Sequence, residues 1–166
     1  MARTEPEPTT ADPGALFAAY LDWYRETAIA KVTALDEDAQ RRSLVPTGWT
    51  PLELLVHLSF MEQRWFVWGF LGEQVAEPWG EDRDGRWHVP ETVRTEDVVR
   101  RLRSVGDRTR EVLARHRLDE VAALGGRFTE DPPTLSWICF HVLQESARHV
   151  GHLDVVVELA GGPTGE

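Results

Sequence analysis

One stretch constrains this chain more than any other. His141, Glu145, His149 and His152 are spaced four, four and three residues apart. On an α-helix advancing about 100° per residue they fall within a sector of roughly 80°, while Asp154 points to the far side. In an ordinary bundle helix that stripe would be Leu and Val. Here it carries imidazoles and a carboxylate, the side chains that ligate divalent transition metals. Residues one turn apart on a helix can converge on one ion, so His141/Glu145 and Glu145/His149 are both candidate pairs. A third ligand has to come from another helix. His57, flanked by Leu54, Leu55, Val56 and Leu58, is the other histidine set mid-helix among apolar neighbours.

Start and stop signals divide the chain into four long helices. Asp12 caps a first helix, with Pro13 in its first turn, running to about Ala34. Thr50-Pro51-Leu52-Glu53 is a capping box opening a second helix that carries His57 and runs to about Phe70, before Gly72. Thr95-Glu96-Asp97 is expected to cap a third, running to about His116. The fourth begins near Thr134, carries the stripe and ends at Gly161-Gly162 after Leu159. Between the second and third helices, residues 72–95 hold Pro78, Gly80, Gly85 and Pro90 with Trp79, Trp87 and His88. A segment that long without periodicity is usually a lid or binding loop. No segment reads as a strand. The fold class is therefore all-α, a four-helix bundle with a long crossover loop. The domain spans 13–162, and the polar, Pro-rich residues 1–12 are expected to form a disordered tail.

Composition bounds the function. The net charge of −10 argues against a nucleic-acid binder, and no apolar run approaches a membrane span. The chain's beginning lacks the apolar core of a signal peptide, and the single Cys139 excludes an internal disulfide; both fit a cytoplasmic protein. The seven tryptophans read mostly as core. Cys139 reads as a small buried apolar residue, and His88 and His116 as surface. A ferritin-like di-iron site is disfavoured, since no Glu-x-x-His pair occurs on any of the four helices.

Each metal candidate has a plainer alternative. His57 alone could be a hydrogen-bonded core histidine, and His141 and His152 taken singly could be structural. Glu145 beside three imidazoles is harder to bury without a cation. An Arg148–Glu145 ion pair is the main metal-free alternative.

Two segments, Gly48-Trp49-Thr50-Pro51-Leu52-Glu53-Leu54-Leu55-Val56-His57-Leu58 and Glu145-Ser146-Ala147-Arg148-His149-Val150-Gly151-His152, resemble the DinB-like superfamily of four-helix-bundle metalloproteins. The similarity is nearest to its mycothiol S-transferase and maleylpyruvate-isomerase-like branch. The resemblance implies a divalent metal, zinc ahead of nickel, held by His57, Glu145 and His149. Many relatives carry histidine at the Glu145 position, whereas the branch resembling mycothiol-dependent maleylpyruvate isomerase carries glutamate. His152 stands where many relatives have glutamine, so it could support a ligand, contact substrate or itself ligate; Arg148 and His152 are candidates for cofactor binding.

The implied function is a metal-dependent thiol transferase in which a low-molecular-weight thiol such as mycothiol attacks an electrophilic substrate. The implied partners are a small-molecule thiol and an electrophile, without nucleic acid or membrane, in a possible homodimer. Two other classes compete: a metal-binding stress or detoxification protein or hydrolase without the thiol, and a metal-free helical interaction module.

Overall fold

A computed structural model describes residues 4–163 of the 166. Four long helices form the expected all-α bundle: α1 (Pro13–Thr33), α3 (Pro51–Gln63), α4 (Thr95–Arg115) and α5 (Leu135–Leu159). A single turn, α2 (Glu37–Gln40), interrupts the connector after α1. Helices α1 and α3 each pack against both α4 and α5, and α1 meets α3 across the centre. Of the tail expected over 1–12, residues 1–3 lie outside the described residues. Residues 4–12 hold no helix or strand, and Thr10 N–H closes a turn on the Glu7 carbonyl at 3.1 Å.

The helix starts follow from local chemistry. Asp12 accepts from the Ala15 N–H at 2.8 Å, ahead of Pro13. The Thr50 hydroxyl accepts from the Glu53 N–H at 3.2 Å while the Glu53 carboxylate accepts from the Thr50 N–H at 2.9 Å. This reciprocal pair fixes where α3 begins, and so the turn on which His57 projects. The expected cap at Thr95 is not made. Helix α4 is preceded by Arg94 without a side-chain cap, and the Thr95 hydroxyl donates instead to Gln40, the last residue of α2.

Three features differ from the sequence reading. The last part of the second helix, Arg64–Phe70, is π-helical. Its widened turns leave carbonyls that the α4–α5 connector uses: Trp68 O accepts from Arg127 N–H at 3.1 Å and Phe70 O from Ala123 N–H at 2.9 Å. The crossover also contains a hairpin, β1 (Asp82–Arg83) paired antiparallel with β2 (Arg86–Trp87). Its turn residues, Asp84 and Gly85, both have positive φ (56° and 77°). That is the geometry of the hairpin turn that matches strand twist. Finally, none of the seven tryptophans is fully buried. Trp49, Trp65 and Trp87 pack on the edge of the core, while Trp79 and Trp137 are half exposed.

Among the described residues the mostly apolar core holds two buried ion pairs, one of them in its centre. Arg25 on α1 donates to Glu62 on α3 at 2.6 and 3.3 Å, and the Thr109 hydroxyl on α4 donates to the same carboxylate at 2.6 Å. Gly106 leaves the gap the guanidinium fills, since a Cβ there would lie 2.3 Å from Arg25 Cζ. Among the described residues no helix is long and apolar enough to cross a membrane.

Candidate functional site

Helices α3 and α5 bring His57 and His149 together with their ring centroids 5.0 Å apart at 70°. One turn before His149, Glu145 places Oε2 3.3 Å from His149 Nε2. His152 adds a third ring, 5.6 Å from that of His149, at the exposed edge of the cluster. The crossover and the segment before α3 supply the roof: Trp87 of the crossover stacks on His57 at 4.1 Å and 20°, and Trp49, just before α3, stands 6.4 Å from Trp87 and 6.3 Å from His152.

His149 is 7% exposed. Burial pushes its pKa down to about 4, with His57 adding to the effect and Glu145 opposing it. The ring is therefore neutral at ordinary pH, with one N–H and one lone pair. Its Nδ1 has no hydrogen-bond partner in the structure. Whichever nitrogen carries the proton, the pair Nε2–Glu145 cannot satisfy both sides of the ring. A neutral imidazole facing a carboxylate, with a second imidazole alongside, is a donor set that fits a divalent ion. Among the described residues, no three His, Cys, Asp or Glu side chains are already arranged as a metal-holding group. What the fold supplies is the convergence of the Glu145–His149 pair with His57.

The other stripe residues separate from this cluster. His141 lies eight residues before His149, about 12 Å along the helix axis, and its ring joins a different set of aromatics. It stacks on Trp137 at 5.2 Å and 7°, with Trp65 at 4.3 Å. Burial lowers its pKa. Arg148 points to solvent, its side chain 64% exposed, and its Nη1 is 3.9 Å from Glu145 Oε1. An exposed contact of that length contributes little. The metal-free pairing read from the sequence is thus present in outline but weak.

A family model for mycothiol-S-transferases matches residues 16–162. The chain belongs to the mycothiol-S-transferase family. Its fold is similar to that of a DinB-like protein from Bacillus cereus ATCC 10987, whose crystal structure was determined at 2.01 Å resolution. The two share 15% identity and a TM-score of 0.62, over 92% of this chain and 95% of that one, a likeness that speaks for the fold. No curated protein matches the chain.

In this mycothiol-S-transferase family member, a cleft of about 500 Å³ opens beside the histidine cluster, lined by Thr47, Gly48, Trp49, Arg86, Trp87 and His88 among others. A larger open groove between α1, α2 and α4 carries none of the imidazoles. Cys139 is buried and free, and burial pushes its thiol up to about 12. It is a core residue, as expected, and no nucleophile.

Sequence reading missed Glu81. This crossover carboxylate is 2% exposed and receives Arg64 Nη1 at 2.5 Å, with His57 Nδ1 3.3 Å away. Burial alone would raise its pKa, but the hydrogen bonds from His57 and Arg64 hold it below the usual carboxylate range. The one local hint was Arg64 itself, a charge embedded in the apolar run from Leu52 to Phe70.

Proposed function

We propose that the chain is a divalent-metal-dependent thiol transferase. His57, Glu145 and His149 would hold the ion, with zinc ahead of nickel, and mycothiol or a similar low-molecular-weight thiol would be the co-substrate. The observation that carries this reading is the contact between Glu145 and His149 facing His57, in a chain of this family, with a buried His149 nitrogen left without a partner. When bound, the metal lowers the pKa of a coordinating thiol and so generates the nucleophilic thiolate near neutral pH.

The chain's own residues do the rest. The Trp49–Trp87 cleft receives the body of the thiol and shields the reacting sulfur from water. Arg86 on the cleft wall and the exposed Arg148 beside Glu145 offer guanidinium groups to an anionic part of the co-substrate. His152, exposed beside His149, takes the thiol proton and passes it to solvent. The sulfur lone pair then forms the S–C bond as the bond from carbon to the leaving group breaks, and the leaving group departs with that electron pair. No side chain of the protein serves as nucleophile, in keeping with the inert Cys139.

The test is conjugation of mycothiol to a haloalkyl bimane, followed by fluorescence, before and after chelation and metal return. Protein-dependent conjugation that disappears on chelation and returns with zinc or nickel is expected. A rate equal to the protein-free reaction under all three conditions overturns the transferase reading. Bound metal without conjugation would favour a metal-binding or hydrolytic role instead.

A further inference from the structure

Glu81 is the feature this function has not absorbed. It belongs to the crossover, 24 residues from His57 along the chain, yet its carboxylate is sealed inside the protein between two groups from the second long helix and its π-helical continuation. Arg64 anchors it. That guanidinium is itself buried, donates to Glu81 Oε1 at 2.5 Å and to the Pro78 carbonyl at 3.0 Å, and lies 4.1 Å from the Trp79 ring centroid. The Glu81 carbonyl accepts from the His88 N–H at 2.8 Å, so the backbone on both sides of the hairpin is tied to the same point. An ionised carboxylate only accepts hydrogen bonds. With Glu81 Oε1 already taking the Arg64 N–H, His57 Nδ1, 3.3 Å away, is the nitrogen placed to donate, and in the neutral ring that leaves the lone pair on Nε2.

We propose that Glu81, clamped by Arg64, is a positioning residue that locks His57 as the Nδ1–H tautomer and frees its Nε2 to ligate. The inference rests on His57 being a metal ligand. A ligating imidazole whose other nitrogen is held by a carboxylate is oriented and made more basic, and losing that partner typically weakens metal affinity about 10- to 100-fold. The same clamp ties the Trp87 roof to the ligand beneath it, because Trp87 both stacks on His57 and closes the hairpin that follows Glu81.

Two measurements on the full chain test this, neither using catalytic activity. The first is zinc affinity, by competition with a chromophoric chelator, for wild type, Glu81→Ala and Glu81→Gln. The expected result is a loss of about 10- to 100-fold for Glu81→Ala. Glu81→Gln, which keeps an acceptor and nearly the same shape, should fall between it and wild type and serves if Glu81→Ala does not fold. Affinity within twofold of wild type in the folded variants overturns the proposal. The second is the tautomer of His57 in metal-free protein, read from long-range ¹H–¹⁵N correlations at about pH 8.5, above the ordinary imidazole range. Nδ1–H is expected in wild type, with a shift toward Nε2–H in Glu81→Ala. An Nε2–H tautomer in wild type, or no change in the variant, overturns it. Should wild type bind no metal while the tautomer follows Glu81, the metal reading fails and the positioning role of Glu81 stands.

Discussion

The imidazoles of His57 and His149, carried by helices that are not adjacent in sequence, lie 5.0 Å apart between ring centroids. Neither helix could achieve this alone. The capping box at Thr50 and Glu53 fixes the start of α3, and Thr134 caps α5 by accepting from the Trp137 N–H at 3.4 Å. Packing of the two apolar faces then sets the crossing that brings the rings together.

Cys139 should be chemically silent. With its thiol pushed up to about 12 by burial, it carries almost no thiolate at neutral pH. Iodoacetamide should leave it unmodified in the native protein at about pH 8 and alkylate it in denaturant, as read by intact mass. The linkage has a definite sign. The folded-state pKa is raised above the unfolded value, so the contribution to stability is intact below the unfolded pKa and is lost as pH rises toward the folded one. Between about pH 9 and 12 wild type should therefore lose stability more steeply than Cys139→Ala. Equal slopes in denaturant titrations would count against a buried thiol.

The Arg25–Glu62–Thr109 cluster makes a separate stability prediction. Removing one partner of a buried ion pair costs about 3–5 kcal/mol when the other charge is left uncompensated; Arg25 keeps a second, partly exposed partner in Asp22, so the low end of that range, about 3 kcal/mol, is expected here. Glu62→Ala should destabilise by that amount in urea unfolding. The double change Arg25→Met with Glu62→Leu should recover most of it. A Glu62→Ala cost below about 1 kcal/mol would mean that Asp22 or water compensates Arg25 on its own.

Trp87 should matter to binding of the thiol. It stacks on His57 and forms one wall of the cleft. An aromatic contact contributes about 0.5–1.5 kcal/mol beyond area burial. Trp87→Ala should then raise KM for the thiol about 2- to 10-fold, with metal content preserved. An unchanged KM with a collapsed kcat would instead assign Trp87 to holding His57.

Much of this was legible in the sequence because the signals are local. Asp12-Pro13 and Thr50-Pro51-Leu52-Glu53 fix helix starts within a turn, and the spacing of Glu145 and His149 guarantees that they share a face. His141 shares the stripe but not the cluster, because a stripe records direction around the axis and not height along it. Asp84-Gly85 is a readable hairpin signal inside the otherwise aperiodic crossover. Glu81 left no trace of its own, only the buried charge of Arg64 in an apolar run, since both its partners are distant in the chain and nothing periodic surrounds it. Arg25 and Glu62 had a subtler mark: each interrupts an apolar face, Arg25 between Leu21 and Ile29 and Glu62 one turn after Leu58. Charges in such registers on two helices suggest a buried pair.

The most direct test of the central claim is the metal content of purified protein, wild type beside His57→Ala, after exposure to zinc and nickel and removal of loosely held ions. Wild type should hold about one divalent ion per chain and the variant below about a tenth of that, with the far-UV circular dichroism unchanged. A wild-type protein without metal, or a His57→Ala protein that keeps its full complement, would contradict the claim.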